Sequence, residues 1–260
     1  MSQSLKEILS GSNPAAVLRA LYAEGKLGQV DSSLPALRME IPKGYRHKDN
    51  LEHSFRVLEN AISRETKGKD ILLRTAALFH DIGKPATREF GPRGVVTFEN
   101  HEVVGAKMVR TILRKHGYSK DEIAVVSRLV FLHMRSHNFD SAGWTDSAVR
   151  RFMTDAGDLF DRLVILFYSD VTSGIPETRK KVHDSIDTLV AEADRVRKSD
   201  ERKALRPSID GHEVMSMYGL TPGRELGQIM KFLNSDEGIS LTKETAFSEI
   251  ESRFNLTPKN

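Results

Sequence analysis

Apolar residues recur at helical spacing along most of this chain. In PAAVLRALYAEGKL, Val17, Leu18, Leu21 and Tyr22 fit a 3.6-residue repeat, and Gly25 ends it. NLEHSFRVLENAISRE repeats the pattern with Leu51, Phe55, Leu58 and Ile62. DILLRTAALFHDIG is apolar on most faces, which predicts a central, buried helix. Helical patterns return in HEVVGAKMVRTILRKHG, KDEIAVVSRLVFLHMRS, TDSAVRRFMTDAG and DLFDRLVILFYSDVT, and a long polar helix is predicted from Glu177 to Lys198.

Two segments depart from this pattern. TREFGPRGVVTF alternates around a Gly-Pro-Arg-Gly turn and predicts a short β-hairpin at residues 87–98. RPSIDGHEVMSMYGLTPGRELGQIMKFL, with Gly219, Pro222, Gly223 and Gly227, predicts two short helices joined by a tight turn, the first capped by Asp210. The charged stretch EADRVRKSDERKALRPS before it is the best candidate boundary. The expected fold is therefore all-α: a helical neck or body segment over residues 1–45, a helical bundle over 46–200 and a small helical tail over 201–260.

Composition narrows the chemistry. The 260 residues include no cysteine, so disulfides and thiolate sites are excluded, which fits a reducing cytosol. The N-terminus MSQSLKEILSGSNPAA lacks a basic-then-apolar leader, and no apolar run approaches the roughly 20 residues of a membrane span. A soluble, cytoplasmic chain with no membrane partner is expected. Lys and Arg number 39 against 36 Asp and Glu, and a net charge of +3 is too small to argue for nucleic-acid binding by itself. The local clusters Arg150-Arg151, Arg179-Lys180-Lys181 and Arg195 to Arg206 read first as solvated helix faces.

Histidines and acids stand where the apolar pattern predicts core or helix ends. His53, His80, His101 and His133 lie on separate helical segments, Asp81 adjoins His80, and Asp170 ends LVILFYSD. A buried polar group left without a partner costs ~1–3 kcal/mol. One such residue is ordinarily a satisfied core histidine or a cap. Six of them in one small domain are different, because a shared divalent cation would satisfy all together. Imidazole and carboxylate donors without thiolate suit Mn, Fe, Co, Ni or Zn, with one or two ions, and not Mg alone. Such an ion acidifies water and polarises a phosphoryl oxygen, and two ions about 3.5–4 Å apart clamp the attacking and bridging oxygens of a phosphate ester. Gly83 and Pro85 are expected to stop the buried helix so that His80 and Asp81 face a cavity.

The ordered set His53, His80-Asp81 and Asp170, with the string HDIGK, resembles the HD phosphohydrolase superfamily. That resemblance implies an HD-domain helical bundle and a divalent metal held by those four residues. Two-metal members, including the HD-GYP phosphodiesterases, add two histidines between the pair and the last Asp. His101 and His133 stand there, and Asp81 would bridge the ions. The motif lysine, here Lys84, is implied to contact phosphate or assist protonation, which makes Asp81 and Lys84 the expected catalytic pair.

A narrower resemblance covers residues 10–235. AVLRALYAEGKLGQVDSSLPALRMEIP, HKDNLEHSFRVLENA, ALFHDIGKPATREF, HEVVGAKMVRTILRK, WTDSAVRRFMTDAG and GLTPGRELGQIMKFL are similar to the body and tail of bacterial tRNA nucleotidyltransferases, the CCA-adding and poly(A) polymerase family, in their actinobacterial form. The polymerase head of that family, with its Gly-Ser and paired-Asp motifs, has no counterpart here: Gly11-Ser12 leads only into a proline and a helix. Nucleotide addition is therefore not expected. What the resemblance implies is hydrolysis of phosphate esters, including nucleoside 2′,3′-cyclic phosphates and 2′-nucleotides.

The expected function is a metal-dependent phosphohydrolase or phosphodiesterase acting on a nucleotide or a phosphorylated RNA end. Lys84, Arg150 and Arg151 are the expected substrate-binding residues, the arginines following a helix cap at Thr145 or Asp146. Rival readings are an RNA-binding body that contacts tRNA ends around a vestigial HD site, and a subunit that partners a separate polymerase head. His47 and Lys48 read as exposed loop residues within reach of substrate. His137 shares a helix face with His133, a weak metal signal. His116, His183 and His212 read as ordinary, and Trp144 as packing.

Overall fold

Side-chain caps fix the starts of most helices. The computed structural model describes residues 3–40, 49–92, 95–138 and 144–259. Ser4 opens α1 (Leu5–Ser10) through a capping box with Glu7. Asn13 caps α2 (Pro14–Ala23), and the chain turns at Gly25, φ 69°, into the short α3 (Leu27–Val30). Asp49 caps α4 (Asn50–Ser63), and Asp70 caps α5 (Ile71–Phe79). After a two-stranded hairpin, β1 (Glu89–Phe90) and β2 (Val96–Thr97), come α6 (His101–Lys115) and α7 (Lys120–Leu132). Then follow α8 (Asp146–Ala156), α9 (Phe160–Asp170) and α10 (Pro176–Ala204). Thr145, one of the two expected caps, is the residue that accepts the Ala148 N–H.

The chain forms two compact units, residues 1–193 and 194–260. In the first, one apolar core runs from Leu5, Leu9 and Leu18 through Phe55, Phe79, Leu129 and Leu166 to Leu189. The helix α4 packs on α5 and α9, and α7 packs on α5 and α6. This arrangement follows from the burial predicted for residues 70–83: every residue from Leu73 to Phe79 is buried. Arg74 is among them, held in the core by Glu65 at 2.6 Å and by the carbonyls of Leu9 and Gly11 at 2.7 and 3.0 Å. It thereby satisfies carbonyls at the C-terminal end of α1 that have no intrahelical partner.

The predicted hairpin forms, but pairs only Glu89 with Thr97 and Phe90 with Val96. The central residues of its turn, 93–94, lie outside the described residues. The long polar helix runs further than predicted, through the charged stretch to Ala204. Lys, Arg, Glu, Asp and Ala there are compatible with helix, and Pro207 follows closely. In the second unit, Asp210 caps α11 (Gly211–Tyr218) as expected, and Gly219, φ 67°, closes it. The helix α12 (Arg224–Leu233) is followed by α13 (Asp236–Ile239) and α14 (Lys243–Phe254), two helices absent from the sequence expectation. This unit has its own core of Ile209, Val214, Ile229, Leu233, Ala246 and Ile250. No described helix is long and apolar enough to cross a membrane.

Candidate metal centre

The buried helix stops one residue before the His-Asp pair. Beyond Phe79 the chain tightens into three-residue hydrogen-bonded turns: Ile82 N–H to Phe79 O at 3.1 Å, Lys84 N–H to Asp81 O at 2.9 Å and Ala86 N–H to Gly83 O at 3.1 Å. His80 and Asp81 therefore sit in a turn rather than on the last helical turn, and both are 1% exposed. Gly83 lets this turn touch α6. A Cβ on Gly83 would stand 2.1 Å from His101 O and 2.7 Å from Gly105 N. The glycine thus brings the His-Asp turn against the helix that begins at His101, a requirement that the sequence reading had assigned only to helix termination.

Three of the histidines are aimed by the same local device. The Nδ1–H groups of His80, His101 and His133 point to the carbonyl three residues earlier: Ala77 O at 2.9 Å, Phe98 O at 2.8 Å and Val130 O at 2.6 Å. His80 and His133 lie just past the ends of α5 and α7, where unpaired carbonyls are available. A carbonyl only accepts, so each of these rings carries its proton on Nδ1 when neutral and presents an Nε2 lone pair to the interior. In His53, Nδ1 lies 2.9 Å from Thr172 Oγ1.

The inward atoms form two sets. His53 Nε2 is 3.2 Å from His80 Nε2 and 2.9 Å from Asp170 Oδ1. His101 Nε2 is 3.2 Å from His133 Nε2 and 3.3 Å from Asp81 Oδ1. Asp81 joins the sets: Oδ1 faces His101 and His133, while Oδ2 is 3.2 Å from His80 Nε2 and 3.6 Å from His53 Nε2. His53, His80 and Asp170 form one group able to hold a metal ion, and Asp81, His101 and His133 a second, with donor atoms within 4.8 Å of one another in each.

This donor set fits a metal on physical grounds. In each group two imidazole rings and a carboxylate oxygen converge on one point, with Asp81 shared between them, which is repulsive unless positive charge sits among them. Without an ion, the charge must come from a proton. Burial disfavours charge on His80, but Asp81 and Asp170 outweigh it and raise its pKa to about 10. Burial, with the charge on His80, pushes His133 down to about 3. Burial works to raise Asp81 and Asp170 too, yet His80 above all holds both well below the usual carboxylate range. The carbonyl partners at Nδ1 are the kind of outer contact that orients metal-bound histidines.

Above these groups lies a cavity of about 960 Å³. His53, Asp81, His101 and Asp170 reach it from below, while Asn50, Thr172, Met134 and the chain from Val96 to Glu102 form its walls. Lys84 also lines it, with Nζ 2.7 Å from Asp81 Oδ2 and 5.6 Å from the centre of the Phe98 ring. Lys84 is thus the counter-charge of Asp81.

The other expected site residues lie elsewhere. Arg150 and Arg151 do not line this cavity: Arg150 is 3.8 Å from Asp146, one turn earlier on α8, and Arg151 is exposed. Their place along α8, after its cap, is what had suggested a phosphate anchor. His47 and Lys48, and the side chain of His137, lie outside what is described. His116 pairs with Asp31 at 2.9 Å, His183 packs edge-on against Tyr168, and Trp144 packs edge-on against Phe152. Asn50, Thr172 and the hairpin residues Val96 to Phe98 escaped the sequence reading, since only Thr172, beside Asp170, carried any local signal.

The sequence model of the HD domain matches residues 50–198. The chain is 30% identical over 219 residues to the A-adding tRNA nucleotidyltransferase of Deinococcus radiodurans, covering 83% of this chain and 49% of that protein. It is 31% identical over 251 residues to the CC-adding tRNA nucleotidyltransferase of Thermus thermophilus, covering 95% of this chain and 54% of that one. It therefore spans about half the length of these two relatives. Ribonuclease Y of Campylobacter curvus is 26% identical over 247 residues, covering 90% of this chain and 39% of the ribonuclease.

Proposed function

The chain belongs to the HD domain family, and from that premise we propose that it is a metal-dependent phosphohydrolase acting on a nucleotide or a phosphorylated RNA end. The observation that carries this proposal is Asp81, whose two oxygens face two histidine sets beneath one open cavity. His53, His80, Asp81 and Asp170 would hold one divalent ion, and Asp81, His101 and His133 a second. Mn, Fe, Co, Ni or Zn suits these donors. When bound, the metal supplies Lewis acidity to water and to a phosphoryl oxygen.

The chain's own groups account for the rest. Hydrolysis joins the oxygen of water to phosphorus, breaks the ester P–O bond and leaves a proton on the departing oxygen. Among the described lining residues Lys84 is the one lysine or arginine, so its Nζ is the group positioned to stabilise charge on that oxygen and to supply its proton. The buried rings of His80 and His133 are held from behind by carbonyls and need not reorganise when substrate enters.

The names of the three relatives support RNA as the substrate class: two act on tRNA and one is a ribonuclease. Contact with tRNA would use the basic clusters and the C-terminal helices. A vestigial site is disfavoured, because all six donors keep their inward geometry. The test is a panel of 2′,3′-cyclic nucleotides, nucleoside monophosphates and short RNAs, assayed with Mn, Co, Ni and Mg. Hydrolysis of at least one ester, lost in Asp81→Ala, is expected. A metal-loaded chain that cleaves none of them would overturn the proposal.

A further inference from the structure

Asp170 and Thr172 line the cavity over the metal groups, and they also line a second cavity of about 410 Å³. The two spaces therefore meet at one wall. That volume lies at the lower end of the range of about 300–1,000 Å³ typical of small-ligand sites. Four parts of the sequence build it: Ser136 from the turn after His133, Phe167 and Asp170 from α9, Val171 to Ser173 from the link that follows, and Thr178, Lys181, Val182 and Ser185 from the first turns of α10.

The chemistry of this second space differs from the first. Among its described lining residues, Lys181 is the one cation and Asp170 the one carboxylate. Hydroxyls of Ser136, Thr178 and Ser185 border it, with Phe167 and Val182 as its apolar side. The 29-residue α10 begins at Pro176 and places its positive N-terminal end here. Its start is tied down, since Arg179 donates to Ser173 O at 2.6 Å and Ile175 N–H donates to Ser173 Oγ at 3.2 Å. In the basic run Arg179-Lys180-Lys181, Arg179 serves that tie and Lys180 pairs with Asp184 at 2.6 Å. Lys181 is the member of the run that lines the cavity.

Resting on the hydrolase reading above, we infer that this second cavity holds the nucleotide next to the one whose phosphate is cleaved, so that the substrate is an oligonucleotide end and not a free mononucleotide. Lys181 and the start of α10 take the linking phosphate, the hydroxyls take the ribose, and the apolar side receives the flat face of the sugar or base.

The test compares a dinucleotide ending in a 2′,3′-cyclic phosphate with the matching mononucleotide. Binding of each is measured by competition in chelator, where no turnover intervenes. The dinucleotide should bind roughly tenfold more tightly, the effect of one charge-assisted contact. In Lys181→Ala the ratio of the two affinities should fall close to one, and Lys181→Arg should restore it. Equal affinities in the wild type, or a Lys181→Ala variant that weakens both ligands alike, would overturn the inference. The hydrolase reading is judged separately, on the ester panel above: if the metal-loaded chain cleaves no member of that panel, that reading fails while the affinity ratio still decides the second cavity.

Discussion

Gly83→Ala probes the contact that joins the His-Asp turn to α6. Gly83 has φ −76° and ψ −19°, a conformation open to any residue, so the substitution carries no backbone strain of its own. Its effect comes from contact. The new methyl would stand 2.1 Å from His101 O, 2.7 Å from Gly105 N and 3.0 Å from His101 C, all backbone atoms of α6. No rotamer relieves such an overlap. The turn and the helix must part by about an ångström to regain van der Waals separation, and Asp81, now 3.3 Å from His101, moves with the turn. Overpacking of a core ordinarily costs ~1–3 kcal/mol, and a clash with rigid backbone belongs at the upper end, ~3 kcal/mol. Disturbing the support of a ligand should also weaken metal binding by roughly 10–100-fold. Gly105→Ala is the control: its methyl would meet Gly83 N at 3.3 Å and Val130 Cγ1 at 3.4 Å, and alanine favours the helix by ~1 kcal/mol, so little net change is expected. Urea unfolding of the metal-free proteins gives the first quantity, and competition with a metal-binding dye gives the second. A Gly83→Ala protein as stable and as metal-avid as the wild type would refute the reasoning.

Two further outcomes follow from single contacts. Lys84→Ala removes the 2.7 Å partner of Asp81, and turnover should fall roughly 10²-fold or more while metal content stays the same; undiminished turnover would leave Lys84 as a counter-charge only. Burial pushes the Asp31 carboxyl up, but hydrogen bonds from Ser33 and His116 outweigh it and set its pKa below 3.8. A depressed carboxyl stabilises the fold above its unfolded value and loses that contribution as pH falls through its folded value. The stability gap between wild type and Asp31→Asn should therefore be full at neutral pH and shrink below pH 3.8; thermal melts showing a gap independent of pH would sink this assignment.

Much of the site was legible because its residues break the apolar pattern at places where a polar group needs a partner. His53, His80, Asp81, His101, His133 and Asp170 each interrupt, open, end or follow a helix, and the fold collects all six. The helices themselves were legible from periodicity and caps, as at Asp210 and Thr145. What periodicity does not encode is contact between distant segments. The closeness of Gly83 to Gly105 and the walls supplied by Phe98 and Asn50 depend on how the elements pack. Arg150 and Arg151 are the converse case: charge and a nearby cap suggested an anchor, whereas the packing of α8, which periodicity does not give, leaves them out of the cavity lining.

The central claim is that six side chains form a metal centre joined by Asp81, and elemental analysis of the purified chain tests it most directly. After exposure to Mn, Co, Ni or Zn and removal of free ions, the wild type should retain at least one divalent transition metal per chain. His101→Ala should keep the ion held by His53, His80 and Asp170 while losing any second one. Asp81→Ala should lose both, with its helical circular dichroism intact. A wild-type chain that takes up no divalent metal under any of these conditions would contradict the account.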